Sequence, residues 1–297
     1  MRRNSDLYET VQRIRKVAYG IEPGNLKESC DEAVQKLKKS ILEKELVAAI
    51  SEQFTALIDR EENPANLKFA VRSSGVGEDS DDASSAGQNE TFLGLRNLDE
   101  ILESVKLCWA SLFTYQSVEY RRQHVQPIDT QMSVVVQIMV HSDCAGVLFT
   151  QHPVSGDPSK ILITANFGLG ESVVSGRVDP DSYIVERMSN GELSIISRQI
   201  GNKTHFLHMN FDDGENVLEK KVSAADQSRC CLRDDQVLNL SKIGVLLEHL
   251  YGNARDVEWA VYQVVSLTDK VHFLVAQWLN FPVRIRFIFY NHDRLQR

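Results

Sequence analysis

No apolar run in the 297 residues approaches the ~20 needed to cross a bilayer. A helical membrane span is therefore not expected. The first ten residues, MRRNSDLYET, carry basic side chains with no apolar stretch behind them, which excludes the pattern of a secretory signal. Cysteine is sparse: Cys30, Cys108, Cys144, Cys230 and Cys231 are odd in number, irregularly spaced and form no CxxC pair. They read as reduced thiols, and the expected compartment is the cytoplasm. An excess of positive charge is also missing. Lys and Arg total 33 against 41 Asp and Glu, a net charge of −8, so a general nucleic-acid binder is excluded while a nucleotide, which needs only a few local cations, is not. The eight histidines do not cluster, and no Ser-His-Asp or metal-ligand spacing stands out. His152, in TQHP, reads as a turn residue. There is no internal repeat and no low-complexity tract.

Residues 5–62 read as helical, with Ala33, Leu37, Ile41, Leu46, Ala49 and Ile50 at helical spacing among charges. Asn63-Pro64 ends this region. LKFAVRSS predicts a strand and ETFLGL a second. LDEILESVKLCWASLFTYQSVEYRRQH predicts one long amphipathic helix, with Asp99 and Glu100 suited to the dipole at its start and Arg121 and Arg122 at its end. From Met132 the period changes: MSVVVQIMV, AGVLFTQHP and KILITANFG are β-branched runs separated by turn residues. DSYIVERMSNGELSIISRQIG predicts a hairpin turning at Asn190-Gly191. DDQVLNLSKIGVLLEHLYG predicts a helix capped by Gly252, and DVEWAVYQVVSLTDKVHFLVAQ a strand, turn, strand unit. The order predicts an α+β fold of two lobes, helix-rich first and mostly antiparallel sheet second, with a boundary near 125–140.

The stretch KFAVRSSGVGEDSDDASSAGQNETFLGL, residues 68–95, places one arginine, Arg72, at the mouth of a long loop of small residues. Guanidinium bonds phosphate oxygens in a planar, bidentate way, and backbone amides of a Ser/Gly loop approach phosphates closely. A polyphosphate clamp is one reading. An arginine paired with Glu78 or Asp79 beside a solvent-facing loop is the other. In DVEWA, Asp256 and Glu258 at i, i+2 share one face of a strand. That face is either a ready divalent-cation site or a plain exposed strand.

The segments AVRSS…GEDS…DASSAGQNETFLGL, VVVQIMV, AGVLFTQHPVSGD, GLGESVVSGRVDPDSYIVER and DVEWAV, in that order, resemble the nucleotide-binding domain of phosphoenolpyruvate synthase, pyruvate phosphate dikinase and rifampicin phosphotransferase. The resemblance covers about residues 65–278 well and 1–64 loosely. It implies an ATP-grasp fold: a helical segment 1–64, a first lobe 65–136, a second lobe 137–280 and a divergent tail 281–297. It implies ATP and Mg²⁺ as cofactors and phosphorylation of a histidine on another domain, with no nucleic-acid or membrane partner. Arg72 matches the family's phosphate-contacting arginine, with Ser73 and Ser74 in the same loop. Gln88, Glu90 and Thr91 match the segment returning toward the nucleotide. Gln137, Met139 and Val140 match the hinge whose backbone pairs with the adenine edge. Asp256, Glu258 and Gln277 match the metal and phosphate ligands, with Arg72 and Glu258 closest to the chemistry. Glu171, in NFGLGESVVSG with Gly168, Gly170 and Arg177, is a further nucleotide-site candidate.

Three departures accompany the match. The family's glycine-rich segment with a phosphate-contacting lysine has no counterpart ahead of the first helix. Leu279 and Asn280 stand where an arginine and a proline are implied. The phosphohistidine and acceptor domains are not in this sequence. The expectation is an ATP-binding phosphotransferase domain truncated at both ends, with a non-catalytic nucleotide-binding or interaction module as the alternative.

Overall fold

The computed structural model describes residues 5–61, 64–75, 79–80, 83–84, 90–212, 214–263 and 271–276. The chain is α+β and divides between Met139 and Val140 into two compact units.

The first unit begins with helices α1 (Ser5–Ala18), α2 (Leu26–Lys39) and α3 (Lys44–Ile58). The α1–α2 break falls on Gly20, Pro23 and Gly24, after which the Asn25 side chain accepts the Glu28 N–H at 3.3 Å and restarts the helix. Strands β1 (Phe69–Gly75), β4 (Thr91–Leu95) and β5 (Met132–Ile138) form an antiparallel sheet in the order β4-β1-β5. Within the loop from β1 to β4, β2 (Asp79–Ser80) pairs with β3 (Ala83–Ser84).

The predicted long helix is two. Helix α4 (Leu98–Ser111) stops, and α5 (Tyr115–Gln123) starts afresh because the Thr114 hydroxyl accepts the Ser117 N–H. Arg121, expected to face the dipole at the helix end, instead turns inward, 6% exposed. It donates to the Ser117 hydroxyl and to the Leu112 carbonyl freed by the break. Burial pushes its pKa down to about 10. Leu7, Val11 and Ile14 of α1 pack with Ala33 and Leu37 of α2 and with Phe113 and Val118 in one core. Phe54 of α3 meets the Phe69 ring at 5.0 Å.

The second unit is built on a six-stranded antiparallel sheet. Its strands are β6 (Cys144–Phe149), β7 (Lys160–Phe167), β8 (Asp181–Arg187), β9 (Leu193–Gln199), β12 (Asp256–Gln263) and β13 (Val271–Ala276). They lie in the order β13-β12-β6-β7-β8-β9. The predicted hairpin is β8–β9, and Gly191 takes φ +84 at its tip. Between β7 and β8 sits α6 (Glu171–Val174). Between β9 and β12 lie a two-stranded pair, β10 (His205–Met209) with β11 (Val217–Lys221), then α7 (Ala224–Gln227) and α8 (Asp234–Tyr251). Gly252 caps α8 with φ +77, as expected from the sequence.

Alternation along these strands sorts the residues. Leu148, Ile161, Ile163, Tyr183, Val257 and Trp259 face α8 and pack with its Val237, Leu240 and Leu247. Burying such side chains is worth roughly 1.5–3 kcal/mol each, and this core sets the strand register. All five cysteines are free thiols. Among the described residues no helix is long and apolar enough to cross a membrane.

Candidate functional site

In the first unit the register brings four of the predicted residues onto one sheet face. Arg72 stands opposite Thr91 on β4 and Val135 on β5. Ala70 stands opposite Gln137, and Ser74 opposite Ser133. Facing cross-strand residues share a side of the sheet, and residues two apart on a strand do too. Arg72, Ser74, Thr91 and Gln137 therefore project from a single face, and each is half-buried. Ser73 does not join them. It is 2% exposed and projects to the other side with the buried Phe69 and Val71. On that side α4 brings the Cys108 thiol to 4.0 Å from the Val71 carbonyl.

At the hinge positions, the Met139 N–H donates to the Lys68 carbonyl at 2.8 Å, and the Met139 sulfur accepts the Gly94 N–H at 3.0 Å. The Met139 amide is thus engaged within the first unit. Val140, the next residue, opens the second unit. His141 follows, stacked on Phe211 with ring centroids 5.6 Å apart and meeting His208 edge-on at 5.1 Å. Desolvation, with Lys220 and His141 nearby, lowers the His208 pKa from its ordinary value.

In the second unit, β12 presents Asp256 and Glu258 on one face while Val257, Trp259 and Val261 on the other are 2–3% exposed. Glu258 is opposite Val147 on β6, and Val147 is opposite Thr164 on β7, which is opposite Ser182 on β8. Glu258, Thr164 and Ser182 therefore put polar groups on this face, interrupted on β6 by the buried Val147. Asp256 is exposed and Glu258 half-buried.

Part of the same face is covered by the glycine segment. Gly168 takes φ +68, and a Cβ there would come within 2.1 Å of the Leu207 carbonyl, so only glycine fits. A Cβ at Gly170 would touch that of Ala145 at 3.5 Å, and Ala145 pairs with Ala260 on the Glu258 side of β12. Glu171, the first residue of α6, thus lies on the carboxylate side of the sheet. The segment is tied down by Asn166, whose amide donates to the Ser172 hydroxyl at 3.0 Å and the His205 carbonyl at 3.1 Å.

Gln88 and Gln277 lie outside the described residues, as do Leu279, Asn280 and the tail. Among the described residues no group of three or more His, Cys, Asp and Glu gathers to hold a metal ion. Two carboxylates on one strand face still suit Mg²⁺, which is commonly held by one or two carboxylates while phosphates and water complete its shell. His152 is a turn residue, its Nδ1 accepting the Val154 and Ser155 N–H groups at 3.3 Å. The β10–β11 pair and the buried Lys203 were not legible beforehand. For the first, the available signal was the short run HFLHM, which carries Phe206, Leu207 and Met209 between turn residues.

A two-unit α+β chain, with an arginine-bearing polar sheet face in one unit and a carboxylate-bearing face in the other, has the makings of a nucleotide-binding domain. Residues 3–278 match the family described as pyruvate phosphate dikinase, AMP/ATP-binding domain, and the chain belongs to that family. It is 34% identical to a "Probable phosphoenolpyruvate synthase" of Staphylothermus marinus, with 85% of this chain and 33% of that protein covered. It is 37% identical to the phosphoenolpyruvate synthase of Pyrococcus furiosus, over 77% of this chain and 28% of that one. It is 42% identical to a rifampicin phosphotransferase of Streptomyces, over 65% and 22%. The chain thus spans about a third or less of the length of these relatives.

Proposed function

We propose that this chain is the ATP-grasp domain of a phosphotransferase, binding Mg-ATP and passing a phosphoryl group to a histidine on a separate domain. The observation that carries this is the grouping of Arg72, Ser74, Thr91 and Gln137 on one sheet face within a family of AMP/ATP-binding domains. Arg72 would grip phosphate oxygens, with Thr91 and Ser74 donating hydroxyl hydrogen bonds beside it. Asp256 and Glu258, joined by Gln277, would hold Mg²⁺. Bound there, the ion would neutralise charge on the phosphates. The segment Gln137–Val140 would meet the adenine edge, and the exposed rings of His141 and Phe211 suit stacking on a planar base. The reduced thiols agree with a cytoplasmic protein.

The test uses ATP labelled at the β or γ position, mixed with this chain and a separately produced phosphohistidine domain of a longer relative. Acid-labile, base-stable label on that domain supports the reading, and the label position tells which phosphoryl group moves. The alternative, a nucleotide-binding module without transfer, draws on Leu279 and Asn280 standing where the family resemblance implies arginine and proline. Calorimetric binding of Mg-ATP with no label transferred would favour it.

A further inference from the structure

Asp181, the first residue of β8, is fully buried, and its carboxylate accepts four donors. Oδ1 takes the Gly201 N–H at 3.0 Å and the Lys203 ammonium. Oδ2 takes the Cys231 N–H at 2.8 Å and the Cys231 thiol at 3.0 Å. Lys203 is also fully buried, and its ammonium makes longer contacts of 3.4 Å to the carbonyls of Gly201 and Gln227. One ion pair thus joins the start of β8, the stretch 201–203 and the loop ahead of α8. The approach is close: a Cβ on Gly201 would lie 2.2 Å from the Pro180 carbonyl oxygen and 2.3 Å from that of Asp179.

Two residues beyond Lys203 the chain becomes β10, which lies on the other side of the sheet. There the Leu207 carbonyl accepts the Leu169 N–H at 2.9 Å, and the His205 carbonyl accepts from Asn166. The strand that leaves the ion pair therefore clamps the glycine segment and α6 against the carboxylate face. A buried ion pair is a poor source of stability compared with apolar residues of similar volume. Its distinctive property is geometry, because four donors converge on one carboxylate.

We propose that Lys203 and Asp181 act as a positioning latch. They hold β10 in place, fix the segment Gly168–Glu171 on the carboxylate face, and through it set the affinity for Mg-ATP. The last step rests on the nucleotide-binding reading above; the ordering of the segment does not.

Hydrogen–deuterium exchange and Mg-ATP calorimetry on the wild-type chain, Lys203→Met and Val237→Ala test this. Val237 sits in the α8 core and controls for a general loss of stability. Lys203→Met should speed exchange at residues 168–175 and 205–209 at least tenfold, leave β6, β7 and β12 protected, and weaken Mg-ATP at least fivefold. Val237→Ala should do none of this at a temperature where both are folded. If Lys203→Met does not fold, the double variant Lys203→Met/Asp181→Asn removes both charges and should show the same local pattern. Uniform exchange changes, or equal effects in the Val237 control, overturn the proposal. Selective exchange in a chain whose wild type binds no Mg-ATP would uphold the latch and overturn the nucleotide reading.

Discussion

Arg72 and Thr91 stand directly opposite each other on β1 and β4, while Ser73, next to Arg72 in sequence, is buried on the far side of the same sheet. Arg72→Ala should therefore weaken Mg-ATP, by ~1.5–3 kcal/mol for a lost hydrogen bond to a charged group, or about 10- to 150-fold. Ser73→Ala should leave the affinity within about twofold. Calorimetry on both variants checks the pair, and equal losses would contradict the face assignment.

Glu258 shares its face of β12 with Asp256. Glu258→Gln keeps the shape and removes the charge that Mg²⁺ prefers. The expected outcome is a loss of about tenfold or more in ATP affinity with Mg²⁺ present and little change in its absence. Titrations with and without the metal separate the two.

Val125 follows α5 with φ +56 and is 91% exposed. A left-handed backbone costs an ordinary residue about 1–2 kcal/mol, and a β-branched one is a clear outlier. The position closes the helix, with the Gln126 N–H donating to the Arg121 carbonyl at 2.8 Å. Val125→Gly should stabilise the chain by about 1 kcal/mol after the entropy glycine adds to the unfolded state. Thermal melts should show a rise of a few degrees; a fall would refute the strain.

Burial pushes the Cys30 thiol up to about 11 and the Cys144 thiol to about 12, from an ordinary value of 9.0. Below pH 9 both states keep these protons, so the thiols cost folding nothing. As pH rises from about 9 to 11 the unfolded chain ionises first, and stability falls. Denaturant melts across that window should show this decline, reduced in Cys144→Ala. At pH 8 a thiol reagent should leave Cys30 and Cys144 unmodified until the chain unfolds.

Much of this arrangement was legible in period and spacing. The β-branched runs became β5, β6 and β7, Asn190-Gly191 turned a hairpin, and the i, i+2 spacing put Asp256 and Glu258 on one face. Period two also implies that adjacent Arg72 and Ser73 part company, although both lie in one loop-like motif. The break at Thr114 was hidden because apolar spacing runs on through Leu112, Phe113 and Val118, and only a single capping hydroxyl interrupts it. Lys203 was hidden for another reason. IGNKTH has the composition of an exposed turn, and the burial of its lysine depends on Asp181, a partner in another strand that no local pattern announces.

On β12 the core and the carboxylates are interleaved: Val257, Trp259 and Val261 point one way, Asp256 and Glu258 the other. Inserting or deleting one residue within this strand would exchange the two sets, sending the carboxylates against α8 and the tryptophan into water. The strand can change its side chains one at a time, but it cannot change its count. Natural drift here should appear as substitution without length variation, and a library with single-codon indels at 256–261 should yield almost no soluble members.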